Sequence, residues 1–375
     1  MTGGGTGGHV YPALAIAELI KTNVPDAEIA FVGTERGIEN KLVPAEGYQL
    51  YHIQIQGIRR SLSLSNLKTA YLVMVSPHRA KKIIEEFKPD LVIGTGGYVC
   101  WPLLRAASDL EIPCMVHESN ALPGVAVRQL QKRVDVILTN FEETAKLLKE
   151  KEKIVNVGNP LRGDCNLWDR QSARKKLGIP DSVDFVILSF GGSLGADRLN
   201  EAAIDVMRNF SAKRENVMHI HAGGARGYEN ARRMFSSYGL ERNDRLILKD
   251  YIYEMPLYMA AADLVICRAG AMTLTEIATM QKPAILIPSP NVTDNHQYKN
   301  AKVLADGGAA ELIEEKDLTA ERICEAVERL AEDKELRAEM QRNSARFARS
   351  DAGKRIYEEI VALLRQKKVI TPKVD

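Results

Sequence analysis

The residues able to do chemistry gather around glycine-rich stretches. "GGGTGGH" at Gly3 to His9, "GTGGY" at Gly94 to Tyr98 and "GGSLGA" at Gly191 to Ala196 are all built for close backbone approach. Glycine lets backbone N–H groups come near an anion, and the N-terminus of a following helix adds partial positive charge. Such loops suit phosphate. A fourth stretch, "ICRAGAMTLTEIA", opens a helix at about Ala271 to Thr273, whose unsatisfied N–H groups could meet a diphosphate. Glu276 follows about one turn further in, spaced to accept hydrogen bonds from ribose hydroxyls; alternatively it is an ordinary first-turn acid stabilised by the helix dipole. "PNVTDNHQYKNA" supplies Asn295, His296 and Gln297, side chains that read sugar hydroxyls. His9 directly follows the first glycine run, where an imidazole can take up a proton at neutral pH, or instead order the loop or touch a phosphate.

The first loop matches G-x-G-x-x-G through Gly3, Gly5 and Gly8. A dinucleotide-binding domain would add a strand in front and an acid ending the next strand, but Glu35 in "FVGTE" comes late for that role. No G-x-x-x-x-G-K-[ST] occurs, which disfavours a P-loop NTPase. The 375 residues suit two domains of about 150 residues each plus a tail. With 45% apolar and 27% charged residues and a formal net charge of +2, the chain lacks the basic excess of a nucleic-acid binder. Cys100, Cys114, Cys165, Cys267 and Cys324 are widely spaced, as buried thiols in a reducing compartment would be. No apolar run reaches the roughly 20 residues of a membrane span, and the N-terminus does not read as a signal peptide, so a cytoplasmic protein is expected.

Short apolar runs alternate with amphipathic stretches. Strands are expected at 28–32, 91–93, 114–117, 134–139, 185–190, 217–221, 246–249, 264–267 and 284–287, with helices at 12–22, 76–87, 144–148, 198–209, 255–261, 273–279 and 297–306. This alternation implies parallel sheets covered on both faces, formed twice. "VGNPLRGD" breaks both periodicities, giving domains at 1–160 and 161–345, and a final helical stretch, 351–366, long enough to lie across the other domain, within the segment 346–375.

Taken together, the motifs resemble the MurG family. "GGGTGGHVYPALAIA", "GTGGYVCWP", "HESNALPG", "VGNPLR", "GGSLGA", "CRAGAMTLTEIA" and "DNHQYKNA" occur in that family's order across nearly the whole chain. The resemblance implies an α/β fold of two Rossmann-like domains facing a cleft, the GT-B architecture, with the C-terminal helix crossing back to the N-terminal domain. It implies an inverting hexosyltransferase that moves N-acetylglucosamine from UDP-N-acetylglucosamine to lipid-linked muramyl-pentapeptide, a step of bacterial cell-wall synthesis. By that resemblance Ser193 would bond the α-phosphate, Ile252 the uracil through its backbone, and Glu276 the ribose. Ala271, Met272, Thr273, Leu274 and Thr275 would face the diphosphate, and Gln297 and Asn120 the sugar. Thr6, Gly7 and Gly8 would close over the donor, with Arg162 in the linker. Where the family often carries two adjacent glutamines, this chain has His296-Gln297. Gly96, Gly97 and Tyr98 are the candidates for the acceptor diphosphate, by backbone N–H donation. His9 is the candidate general base. The chain has no Asp-x-Asp triplet, so N–H groups and helix dipoles are expected to stabilise the leaving UDP, with no cofactor and no strictly required metal.

Between Gly57 and Lys88 the basic residues Arg59, Arg60, Lys68, Arg79, Lys81, Lys82 and Lys88 outnumber Glu85 and Glu86. Leu64, Leu67, Tyr71, Leu72, Met74 and Val75 are interleaved with them. Such a patch could hold the protein peripherally on the anionic cytoplasmic face of the cell membrane; alternatively, it is a helix with its apolar face packed inward. The resembling proteins carry a strand before the first glycine loop, where this chain has only Met1 and Thr2. The expectation is that the neighbouring strands lose backbone partners and that Gly3 to His9 lose their anchor. Three other activities fit parts of the pattern: a glycolipid glycosyltransferase or UDP-sugar epimerase of similar architecture, a UDP-sugar-binding protein that transfers nothing, and an NAD-linked dehydrogenase.

Overall fold

The computed structural model describes residues 1–57, 65–161 and 167–370, and of residues 65–68 and 70 the backbone alone. The chain forms two compact units, one of Met1–Arg162 with Arg349–Asp375, the other of Gly163–Ala348.

The first unit runs α1 (Gly7–Asn23), β1 (Ala30–Gly33), α2 (Glu39–Ala45), β2 (Gln49–His52), α3 (Ser65–Phe87), β3 (Val92–Gly94), α4 (Cys100–Asp109), β4 (Cys114–Glu118), α5 (Val125–Leu130), β5 (Val136–Thr139), α6 (Glu142–Leu147) and β6 (Ile154–Asn156). The second runs α7 (Arg170–Lys176), β7 (Phe185–Phe190), α8 (Asp197–Asn209), β8 (Val217–Ala222), α9 (Tyr228–Ser237), β9 (Leu246–Lys249), α10 (Met255–Ala261), β10 (Leu264–Cys267), α11 (Ala271–Thr279), β11 (Ala284–Leu286), α12 (His296–Asp306), β12 (Glu311–Leu312), α13 (Ala320–Glu332) and α14 (Lys334–Ala345). The last helix, α15 (Ala352–Gln366), returns to the first unit, where Ile356, Ile360 and Leu363 pack with Ile16, Ile93, Met115 and Leu138. Their spacing of one helical turn sets that apolar stripe.

In the second unit a six-stranded parallel sheet has the order β12-β11-β10-β7-β8-β9. Every residue of β7, β8 and β10 is buried, as strands covered by helices on both faces must be. From β7 the chain winds one way, and from β10 it winds the other. In open α/β sheets such a switch point, beyond the carboxyl ends of the strands, is where ligands bind.

The first unit repeats this order with a short centre. β1 pairs with β2, and β3, β4, β5 and β6 follow one another, all in parallel. Met1 and Thr2 stitch the two groups together. Val32 N–H donates to Met1 O at 2.9 Å, Thr2 N–H to Ile93 O at 2.8 Å, and Thr95 N–H to Thr2 O at 2.9 Å. Thr2 therefore bridges Val32 and Gly94, so the expectation that β1 and β3 would stand without backbone partners is corrected.

A second correction concerns α1, which begins at Gly7 rather than Pro12, with Thr6 as its N-cap. Proline favours a first turn, which drew the expected start to Pro12, yet here it lies inside the helix. Gly7, Gly8 and His9 form the opening turn, where N–H groups lack intrahelical partners in any case. Val10, Ala13, Leu14 and Ala17 behind them are buried and hold the helix. Among the described residues no helix is long and apolar enough to cross a membrane.

Candidate functional site

The first unit brings two glycine loops to its switch point. The His9 ring packs on the turn after β3: a Cβ on Gly96 would lie 2.6 Å from His9 Cδ2, and one on Gly97 would lie 2.5 Å from Gly4 O. Both glycines have positive φ, 104° and 81°, so only glycine holds this turn unstrained and this close. His9 Nδ1 lies 3.2 Å from Gly4 O and 3.3 Å from Thr6 Oγ1. A carbonyl only accepts, so Nδ1 carries the proton and Nε2 keeps its lone pair. Burial pushes the imidazole below its usual pKa, while Gly4 O and the Glu39 carboxylate oppose this. The neutral ring is the form that can accept a proton.

Among the described residues the N–H groups of Gly97 and Tyr98 make no hydrogen bond, and Tyr98 is 37% exposed. Gly96 differs from its neighbours, because its N–H is directed to Cys100 Sγ at 3.2 Å. Its amide is therefore not offered outward, and its part is to make room for the imidazole. Thr95 Oγ1 donates to His9 O at 2.6 Å, and Glu39 accepts from Gly5 N–H at 3.0 Å. These contacts anchor the loop that was expected to have lost its anchor. Burial pushes the Cys100 thiol up to about 12, so it is an inert packing group.

Asn120 stands in the turn after β4. Its N–H and Nδ2 donate to Glu118 Oε1 at 3.0 and 3.1 Å, and Gly124 N–H donates to Glu118 Oε2 at 2.8 Å. Glu118, absent from the sequence-predicted set, thus shapes the loop that presents Asn120. The neighbouring His117 is fully buried, bonds Gly158 O at 2.8 Å, and is pushed by burial to about 4.

In the second unit, Ser193 and the first turn of α11 sit at the ends of β7 and β10, on either side of the switch point. Ser193 is exposed at the tip of its loop. The loop rests on the turn after β8: Ala225 N–H donates to Ser193 O at 3.1 Å and Arg226 N–H to Leu194 O at 3.0 Å. This "AGGARG" turn was missed, although glycines after a strand are the signal that marked the other loops. Beneath it lies a buried polar chain. Ser211 Oγ pairs with His219 Nδ1, Ser189 Oγ with both His219 Nε2 and His221 Nδ1, His221 Nδ1 also with Ser189 O, and His221 Nε2 with Asn200 Oδ1, while Asn200 Nδ2 donates to Gly223 O.

Ala271 to Thr273 open α11 with no acidic side chain in the first turn, and among the described residues Met272 and Thr273 N–H have no partner. Leu274 and Thr275 are buried behind them, and Leu274 N–H already bonds Gly270 O at 3.0 Å. Glu276 is half-buried one turn on, and burial raises its carboxyl to about 7. Ile252 is 4% exposed, and among the described residues its main-chain N–H and C=O make no hydrogen bond. That leaves one donor and one acceptor in the main chain. Gln297 Oε1 is already bonded by Ser289 N–H at 2.9 Å.

On α3, Tyr71 is 57% and Met74 68% exposed, with Arg79 and Lys82 also exposed. Val75 is half-buried. Leu72, expected on the same patch, is only 7% exposed and faces inward, because a helix presents residues one apart on different faces. Leu64 and Arg162 lie outside the described residues, as does the side chain of Leu67. Among the described residues no three His, Cys, Asp or Glu side chains could hold a metal ion together.

Residues 1–139 match the glycosyltransferase family 28 N-terminal domain, and residues 186–356 match the glycosyltransferase family 28 C-terminal domain. Over 361 residues, 96% of this chain and 98% of the relative, the chain is 42% identical to the UDP-N-acetylglucosamine–N-acetylmuramyl-(pentapeptide) pyrophosphoryl-undecaprenol N-acetylglucosamine transferase of Thermoanaerobacter sp. (strain X514). The protein of that name from Clostridioides difficile (strain 630) is 40% identical over 375 residues, 100% of this chain and 90% of the relative. The crystal structure of Acinetobacter baumannii MurG superposes with a TM-score of 0.76 at 29% identity, over 96% of this chain and 98% of that one. The chain belongs to the MurG family, within glycosyltransferase family 28. A Neisseria meningitidis UDP-GlcNAc 2-epimerase, with a TM-score of 0.62 at 15% identity over 94% of this chain and 96% of that one, shares the fold alone. Beyond the MurG family, the two-unit α/β design is thus common to enzymes of different chemistry.

Proposed function

We propose that this MurG-family chain transfers N-acetylglucosamine from UDP-N-acetylglucosamine to the muramyl C4 hydroxyl of lipid-diphosphate-linked muramyl-pentapeptide, with inversion. The chain is a hexosyltransferase of peptidoglycan synthesis. In one displacement the C4 oxygen attacks the sugar C1, the bond from C1 to the diphosphate oxygen breaks, and UDP leaves with its electron pair. His9 Nε2 takes the hydroxyl proton. The observation that carries this role is the bond from His9 Nδ1 to Gly4 O, which leaves Nε2 unprotonated on the side of the ring that packs on Gly96, where an added Cβ would lie 3.1 Å from it. The Gly97 and Tyr98 amides bind the acceptor diphosphate.

In the second unit, Ser193 and the N–H groups opening α11 bind the donor diphosphate and hold the charge that develops on UDP. The Ile252 main chain, with one donor and one acceptor, matches the hydrogen-bonding edge of uracil. Glu276 takes the ribose hydroxyls as a carboxylate. Gln297 retains an amide NH₂ group toward the sugar; Asn120, Thr6, Gly7, Gly8 and Arg162 are proposed as donor-binding residues on the family resemblance. Since dipoles meet the leaving charge, no divalent ion is required. Activity abolished by a chelator and restored by a metal would overturn that statement. Tyr71, Met74, Arg79 and Lys82 on α3 hold the protein on the anionic cytoplasmic leaflet.

The test is transfer of radiolabelled N-acetylglucosamine to a soluble muramyl-diphosphate-lipid analogue, with UDP affinity measured by calorimetry. The expected result is stoichiometric release of UDP and loss of transfer in His9→Gln at unchanged UDP affinity. Undiminished transfer by that variant would remove His9 from the chemistry.

A further inference from the structure

Glu39 is the most tightly enclosed acid of the first unit. It is 0% exposed, and among the described residues it forms no ion pair. Its carboxylate instead receives N–H and O–H donors: Oε1 accepts from Thr34 N–H at 2.9 Å and Thr34 Oγ1 at 2.8 Å, and Oε2 accepts from Gly5 N–H at 3.0 Å. Burial raises the carboxyl pKa, but the donors, Thr34 first, outweigh it and hold the group below the usual carboxylate range. Glycines make its room. A Cβ on Gly37 would lie 1.9 Å from Oε2, one on Gly33 2.6 Å from Cγ, and one on Gly4 2.7 Å from Oε1.

Burying a charge this completely is costly to a fold, and an apolar residue could fill the same volume at lower cost. The distinctive feature is what the charge holds. Gly5 N–H and Gly4 C=O belong to one peptide group. Its N–H donates to Glu39, and its C=O accepts from His9 Nδ1. A rigid planar amide thus joins carboxylate to imidazole, and each hydrogen bond polarises the amide in the sense that strengthens the other.

We propose that Glu39 is a positioning residue for glycosyl transfer, acting through the Gly4–Gly5 peptide to hold the His9 ring in its orientation and in the tautomer that bears a proton on Nδ1. The proposal rests on His9 being the base. Glu39 touches neither substrate; it does for the imidazole what a directly bonded carboxylate does in other acid–base pairs, with one peptide group interposed. A neutral amide cannot replace it, because the NH₂ of a glutamine would confront an N–H donor at either Gly5 or Thr34.

The experiment compares Glu39→Gln, His9→Gln and the double variant, with Ile137→Val in the core of the same unit as a control for stability. Glu39→Gln is expected to lower kcat about tenfold or more while UDP affinity stays within about twofold of wild type and Ile137→Val keeps its kcat. In the His9→Gln background, Glu39→Gln is expected to change kcat by less than about twofold, the non-additivity of residues that act as one device. An equal loss in both backgrounds, or a Glu39→Gln kcat matching the control, overturns the proposal while leaving His9 as the base. Unchanged turnover in His9→Gln would overturn both together. Should Glu39→Gln fail to fold, Glu39→Asp, which keeps the charge but withdraws it from Gly5, is held to the same outcomes.

Discussion

The two units place a glycine loop at the same point of the same strand order, yet secure it by different means. In the second unit the loop follows a strand of six buried residues and leans on a neighbouring turn through backbone pairs, Ala225 to Ser193 and Arg226 to Leu194. In the first unit, Met1 and Thr2 stand where that strand would be, and side chains do the securing: Glu39 to Gly5, and Thr95 to the His9 carbonyl. A loop held by its backbone tolerates most side-chain changes and fails where a glycine is lost. A loop held by side chains fails one residue at a time.

The largest effect should follow loss of the imidazole. His9→Gln is expected to lower kcat by about 10²- to 10⁴-fold, the usual span for a general base, with calorimetric UDP affinity unchanged. An equal weakening of UDP binding would show that the units do not divide the work.

Acid should break the second unit through its core. His219 and His221 are kept neutral by burial, His219 well below the ordinary imidazole value and His221 at about 4. Unfolded, both titrate near 6.5. Stability is therefore full above about pH 6.5 and lost as pH falls toward 4, by about 3 kcal/mol for His221 alone. Urea midpoints at pH 7.5 and pH 5 measure this, and equal midpoints would refute it.

The backbone-held loop should fail at Gly195. Its φ is +83°, and a Cβ there would lie 2.1 Å from Gly223 O. Gly195→Ala is expected to weaken UDP binding by about 1–3 kcal/mol, read by calorimetry, with unit 1 unaffected.

A smaller effect separates the units by pH. With Glu276 at about 7, donor KM should rise about tenfold between pH 8 and pH 6 as the carboxylate is lost, before kcat falls, because burial holds His9 below its usual range. A coincident fall of both parameters would argue for a single titrating group. The smallest effect belongs to the surface of α3. Reversing Arg79 and Lys82 to glutamate should weaken binding to anionic vesicles by up to ~1 kcal/mol for each charge removed from the surface, while transfer to the soluble acceptor persists.

How much of this was legible in the sequence depended on the range of the interactions. Buried strands such as Phe185–Phe190 and Leu264–Cys267 were found at their bounds, since continuous apolar runs between turn residues mark them locally. β2, β6 and β12 were missed because they are short and only partly buried, with polar residues in each. The ordered motifs located the glycine loops, His9 and the start of α11. Glu39 could not be found that way. It opens a short helix like any first-turn acid, and its distinguishing partner, Gly5, lies 34 residues away. The His219 and His221 pair shows only as alternation along a strand, which by itself would place both on one face without naming Ser189 between them.

The return of α15 has a consequence for how the chain is made. The second unit is one continuous stretch and can close as soon as it leaves the ribosome. The first unit, although translated first, has Ile16, Ile93 and Met115 waiting for Ile356, Ile360 and Leu363. During synthesis, its apolar face stays open while the whole second unit is translated, a delay of about 10–40 s at ordinary elongation rates. The half begun first is thus the half finished last.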